Sequence, residues 1–255
     1  MSAPAKVPPL TLARVFWRCL FVQAAWNRRG MQNLGFAYAI DPALRALYPD
    51  ADRREEALRR HLGFFNCHPY MAAAIVGGAI HHEERVAAGS EPSGMPLQYK
   101  QTLQGPLAAV GDGFFWTALR PLFGALAAVG ALLFGGVAIV VALVVYNAIH
   151  FVLRARLFLA GYQKGDAVVE EIARLSLTVT AERLRSAGAA VCGAAAAVVL
   201  VRGAGGASAP LLAAVAAGAG YAALARGARL FPTAYLATLA GIGAAAVLGR
   251  IQGGP

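Results

Sequence analysis

Between residues 121 and 153 the chain carries no Asp, Glu, Lys or Arg, and no acidic residue follows Glu182. A bilayer core about 30 Å thick takes roughly 20 helical residues at about 1.5 Å each, more than the core helix of a water-soluble domain needs in one apolar run. The pattern therefore predicts membrane helices. Residues 203–225 and 230–249 are long enough to span, and Arg202, Arg226, Arg229 and Arg250 mark their ends; residues 186–201 form a shorter apolar stretch. The charge-free run is too long for one perpendicular helix, about 50 Å if straight. Gly135 and Gly136 predict an interruption there. Two half-helices and one strongly tilted span both fit.

Upstream, charge and apolar positions alternate on a helical period. Residues 10–26 place Arg14 and Arg18 one turn apart, with Phe16, Trp17, Leu20 and Phe21 on the other faces. Two readings stand: an interfacial helix with arginines at the headgroups, or a helix packed on its own subunit. Residues 52–61 (DRREEALRRH) read as a charged helix with Glu55 and Glu56 ahead of Arg59 and Arg60. Its face is either simply solvated or a docking surface for a soluble partner. Residues 87–96 have the Gly, Ser and Pro content of a loop.

The segment that follows, residues 101–121, contains two predicted helix breaks, Gly105-Pro106 and Gly111-Asp112-Gly113. Asp112 is a lone carboxylate among apolar residues. Such a charge at the bilayer centre costs at least about 2.5 kcal/mol, so it should be paired, hydrated or near an interface. Arg120 is its nearest partner in sequence. Irregular backbone at membrane depth requires protein or a water-filled cavity around it, which makes Gly105, Pro106, Gly111, Asp112 and Arg120 a candidate gate or structural motif.

These elements predict an all-α, polytopic helical membrane protein with an N-terminal amphipathic, cytoplasmic-side helical part and broken or re-entrant helices. Three regions follow: 1–100, amphipathic and cytoplasmic-side; 101–165, breaker-rich with the first membrane helices of a transport core; and 166–255, C-terminal membrane helices. Composition agrees, with 58% hydrophobic and 14% charged residues. The net charge of +10 sits among apolar helices without the aromatic-basic interleaving of a nucleic-acid groove, so anionic headgroups account for it and nucleic acid is not expected. Cys19, Cys67 and Cys192 are odd in number and widely separated, with no disulfide framework. The first residues lack the layout of a secretory signal, and the N-terminus is expected to be cytoplasmic.

Four strings carry a resemblance: MQNLGFAYAIDPALRALYPD (residues 31–50), RRHLGFFNCHPY (59–70), GPLAAVGDGFFWTALRP (105–121) and NAIHFVLRARLFLAGYQKG (147–165). In this order they resemble the IID membrane component of mannose-family sugar phosphotransferase systems, over about residues 15–165. Beyond Gly165 the chain is alanine-rich and shorter than is usual for that family. Gly113 stands where the family commonly has proline, Cys67 where it has threonine, and Gly30 and Asp41 also depart from its pattern.

The resemblance implies a multi-pass subunit of the bacterial inner membrane that pairs with a IIC component, in a hetero-oligomer, to import a hexose or related sugar. Soluble IIA and IIB proteins relay phosphate through histidines, and the sugar is phosphorylated as it is released. The IID component carries no phosphohistidine, so His61, His68, His81, His82 and His150 are not expected to be nucleophiles; no catalytic residue, cofactor or metal is expected on this chain. The adjacent His81 and His82 also point to different faces and form no H-E-x-x-H register. The alternative is a non-transporting membrane scaffold or regulatory component that recruits soluble phosphotransferase proteins through residues 53–60.

For the sugar itself, a side-chain amide offers a donor and an acceptor without charge, which suits a hydroxyl in a low-dielectric site. Asn66, just ahead of the helix-breaking Pro69, is the leading candidate; its other reading is a cap on the apolar helix that follows. His68 is the second candidate. Asn147 reads as an interhelical hydrogen-bonding group, and Gln32 and Asp112 as further polar positions of binding or interfacial role.

Overall fold

A nine-residue run, Ala72 to Ile80, is buried on every face, the pattern of a helix surrounded by other helices. It opens α4 (Ala72–Ala87) of a computed structural model that describes residues 6–204, the side chains of 194 and 196–204 excepted. The described chain is helical, with two isolated β-bridges, Asn27 to Met31 and Met31 to Phe65. It divides into two units: 1–117 with 145–182, and 118–144 with 183–255. The predicted spans at 203–225 and 230–249 lie outside the described residues, apart from the backbone at 203 and 204.

In the first unit α1 (Pro9–Cys19) and α2 (Asn33–Leu47) pack together, α2 lies on α4 and on α3 (Ala51–His61), and α5 (Met95–Gly111) lies along α4. The helix expected over residues 10–26 ends at Cys19 and continues as turns. Its Val15 and Cys19 are buried while Leu10 and Trp17 face outward, so the helix packs on its own subunit, one of the two readings foreseen for it. The charged helix α3 forms as expected, capped by Asp50, whose carboxylate accepts the Arg53 amide.

α7 (Gly136–Lys164) crosses α4 at backbone distance. A Cβ on Gly161 would lie 2.2 Å from the Ala74 carbonyl oxygen, and one on Gly77 2.2 Å from that of Phe158. Glycine is required at this crossing because any side chain would push the helices apart. A short 3-10 turn (Gly165–Ala167) and α8 (Val168–Arg174) follow, and then α9 (Leu177–Ala204), which runs on into the second unit.

The second unit contains α6 (Arg120–Phe134) and the start of α7. The expected interruption is present: Gly135, with φ of 76°, separates them, in a conformation essentially reserved for glycine. Gly130 then packs on Ala138 across the break, so the two helices fold back on each other, which selects the broken form over a single tilted span. Leu132, Leu133, Phe134, Val137, Val140 and Val144 face outward. Two stretches, Met95–Phe134 and Gly136–Gly193, are long and apolar enough to cross a membrane.

The breaks expected at Gly105-Pro106 and Gly111-Asp112-Gly113 are not breaks. α5 runs through Gly105 and Pro106, both on its exposed face. Asp112–Leu119 then widens into a π-helix that leads directly into α6. Proline deletes one hydrogen bond of the ladder without ending a helix whose flanks are held, and the wider π turn absorbs the local mismatch.

Candidate functional site

The chain between α3 and α4, residues 62–71, carries Asn66 and His68, and it is fixed from four sides. Gln32 is buried and pairs twice with Cys67, its amide nitrogen donating to the Cys67 carbonyl (2.8 Å) and its oxygen accepting the Cys67 N–H (3.1 Å). Beside it the Gln32 N–H donates to Phe65 O at 2.8 Å, and Asn33 Nδ2 donates to Leu62 O at 2.6 Å. Gln32 is thus a structural group of the loop. From α5, the fully buried Lys100 donates from Nζ to the carbonyls of His61 (2.9 Å) and Gly63 (3.2 Å), and lies 4.7 Å from the Phe36 ring centre.

One turn further along α5, Gln104 Oε1 accepts the Asn66 backbone N–H at 3.1 Å. The Asn66 side chain is exposed and has no hydrogen-bond partner among the described residues. It caps nothing, since α4 begins at Ala72 with Met71 as its N-cap, and its capping role is therefore ruled out.

His68 faces the opposite way. Its ring is buried, stacked on Phe115 of the π-helix at 4.9 Å and meeting Trp116 edge-on at 5.0 Å. Nδ1 accepts the Tyr70 N–H at 3.3 Å, while Nε2 is buried without a hydrogen-bond partner among the described residues. Burial, reinforced by the charge of Arg154 and by His150, pushes its pKa down to about 3. The imidazole is therefore neutral, with Nε2 enclosed by the aromatic packing. Gly111 ends α5 against this ring, where a Cβ would stand 2.4 Å from His68 Cβ.

The fourth support comes from α7. Arg154, nearly fully buried, donates from Nη2 to the Pro69 carbonyl at 2.6 Å and lies over the Tyr70 ring at 4.9 Å. Tyr70 in turn stacks on His150 at 4.2 Å and 8°, and His150 Nε2 is 2.9 Å from Asn147 Oδ1. Reading residue types alone passed over Arg154, Tyr70 and His150 as members of this cluster. A usable signal exists in the sequence: Asn147, His150 and Arg154 recur at i, i+3 and i+7, a polar stripe along one face of a mostly apolar helix.

The structure thus joins His68 and Gly111, places Asn66 on the opposite, exposed side of the same loop, and leaves the other candidates apart from them. Gly105 and Pro106 lie on open helix surface; Asp112 opens the π-helix half-buried; Arg120 opens α6, exposed, in the second unit. Neither Asp112 nor Arg120 has an ion pair among the described residues, so the pairing suggested by their proximity in sequence is absent. The atypical Asp41 does have a role: it binds Arg18 at 3.3 Å and Arg45 at 3.0 Å, tying α1 to α2.

Comparison with known proteins places this geometry in context. Residues 6–202 match the family model of the PTS system mannose/fructose/sorbose family IID component. The chain is 39% identical over 168 residues to the mannose-specific EIID component of Escherichia coli K12, covering 62% of this chain and 56% of that protein. It is 36% identical over 163 residues to the fructose permease IID component of Bacillus subtilis 168, covering 62% and 58%. The chain therefore spans a little over half the length of the curated relatives it matches. Among solved structures, a chain of the mannose transporter ManYZ in complex with microcin E492 aligns with a TM-score of 0.61 at 36% identity, covering 75% of this chain and 71% of that one. A structure described as that of a membrane protein aligns with a TM-score of 0.66 at 36% identity, with the same coverage.

Proposed function

The chain belongs to the mannose/fructose/sorbose family of phosphotransferase-system IID components, and from that premise we propose that it is a translocation subunit of the bacterial cytoplasmic membrane. It works with a IIC partner to import a hexose or related sugar, which a IIB protein, charged by IIA, phosphorylates on release. Mannose and fructose, named for its relatives, mark the substrate class. The observation that carries this reading is the loop of residues 62–71: a solvent-facing amide on Asn66, on backbone clamped by α2, α5 and α7. Such preorganisation lets polar groups recognise hydroxyls without reordering at each turnover. The partner supplies the remainder of the sugar site.

The scaffold alternative, prompted by the departures from the family pattern, would recruit its partners through the charges of α3. Two of the charged or ionisable groups at its end face inward: Arg60 Nε and His61 Nε2 each lie 2.8 Å from the fully buried Glu83. That geometry supports a structural use of this end of the helix and leaves less of it for docking.

Asn66→Ala, tested in cells that express the chain with its IIC, IIB and IIA partners, is expected to weaken sugar uptake about tenfold through apparent affinity, as for loss of one hydrogen-bonding group. Uptake and apparent affinity equal to wild type would remove Asn66 from the site.

A further inference from the structure

Two arginines one turn apart on α1 have different fates. Arg18 is committed to its own subunit, donating to the Tyr38 carbonyl at 3.0 Å and to Asp41 at 3.3 Å. Arg14 is exposed and has no ion pair or hydrogen bond among the described residues. Next to Arg14 around the helix stand Leu10 and Trp17, 77% and 60% exposed. That apolar arc continues, through Ala13, into a cleft of about 250 Å³ between α1 and α7, lined only by apolar side chains, among them Leu12, Phe16, Ala155 and Leu159. The α7 wall belongs to a stretch able to cross a membrane, and Val152 and Leu159 on it face outward. Apolar cleft, apolar arc and unpaired guanidinium are thus contiguous.

We propose that this cleft binds an anionic phospholipid, one acyl chain lying between α1 and α7 and the phosphate headgroup held by Arg14. Continuity with the outward face of α7 supplies the tail, and Arg14 supplies the charge complementarity that a zwitterionic lipid satisfies less well. The site would make α1 a lipid-dependent brace of the first unit. It is independent of the sugar assignment.

The test is fluorescence quenching of Trp17 in the full chain, made the sole tryptophan by Trp26→Phe and Trp116→Phe, in vesicles of phosphatidylcholine and phosphatidylglycerol in equal parts. Bromine is carried on the acyl chains of one lipid or the other. Brominated phosphatidylglycerol should associate about fivefold more strongly than brominated phosphatidylcholine, the effect of one cation at an anionic surface. Arg14→Gln should remove that difference, Arg14→Lys should restore it, and Ala155→Leu, which narrows the cleft, should weaken quenching by both lipids. Equal quenching by the two lipids, a preference that survives Arg14→Gln, or indifference to Ala155→Leu would overturn the proposal. Native mass spectrometry of the unaltered chain in detergent gives an independent reading. Phosphatidylglycerol should be retained over phosphatidylcholine by wild type and not by Arg14→Gln, and no retention by wild type also overturns the proposal.

Discussion

Glu83 shows how a single buried carboxylate organises the first unit. It is fully buried and accepts hydrogen bonds from Tyr48 Oη (2.6 Å), Arg60 Nε (2.8 Å) and His61 Nε2 (2.8 Å). Burial raises its pKa, but the His61 and Arg60 hydrogen bonds outweigh that and bring it from 4.5 to about 2. For His61 burial dominates and lowers the pKa from 6.5, so the ring is neutral and donates to an ionised Glu83. A depressed folded-state pKa gives stability that is complete above the unfolded value and lost as pH falls toward the folded one. Stability should therefore decline from about pH 6.5, as His61 and His68 resist protonation, and further between 4.5 and about 2 as Glu83 is neutralised. Thermal unfolding in detergent across that range checks the sign; a protein more stable at pH 4 than at neutrality would contradict it. Glu83→Gln removes the buried carboxylate from Arg60, leaving it only the exposed Glu56 at 3.8 Å, and should cost about 3 kcal/mol in the same assay. None of this network was visible in the sequence, because Tyr48 and Arg60 lie 35 and 23 residues from Glu83 and only packing brings them together.

Among elements, the crossing of α4 and α7 depends on glycine at both contact positions. Gly161→Ala places a methyl group 2.2 Å from the Ala74 carbonyl and should destabilise by about 1–3 kcal/mol through forced separation of the helices. Gly105→Ala is the matched control. Nothing lies within 4 Å of the added methyl, and alanine is the better helix former by about 1 kcal/mol, so melting should be unchanged or rise. Melting temperatures of the two variants, side by side, decide whether close approach and not helix propensity sets the role of each glycine. The same contrast explains what was legible. The break at Gly135 could be foreseen because two adjacent glycines fall within an apolar run too long for one perpendicular helix. The continuity of α5 through Pro106 could not, because glycine and proline act as breakers only where neighbouring packing does not hold the helix.

For the whole molecule, outward-facing Leu, Val and Phe side chains on α6 and α7 require hydrocarbon around them. The chain should sediment with membranes after an alkaline wash and enter solution only with detergent; recovery in plain buffer as a monodisperse species would contradict the fold. Fold class and membrane character were readable from the distribution of charge, and the loop bearing Asn66 and His68 from its own residues. Its clamp by Lys100, Gln104 and Arg154 was not, since each comes from a distant helix. The most direct test of the central claim is vectorial phosphorylation. Vesicles containing this chain and its IIC partner, supplied with phosphorylated IIB protein and a panel of labelled hexoses, should accumulate a sugar phosphate that falls to background when this chain is omitted. Equal accumulation without it, or none with every component present, would contradict the account.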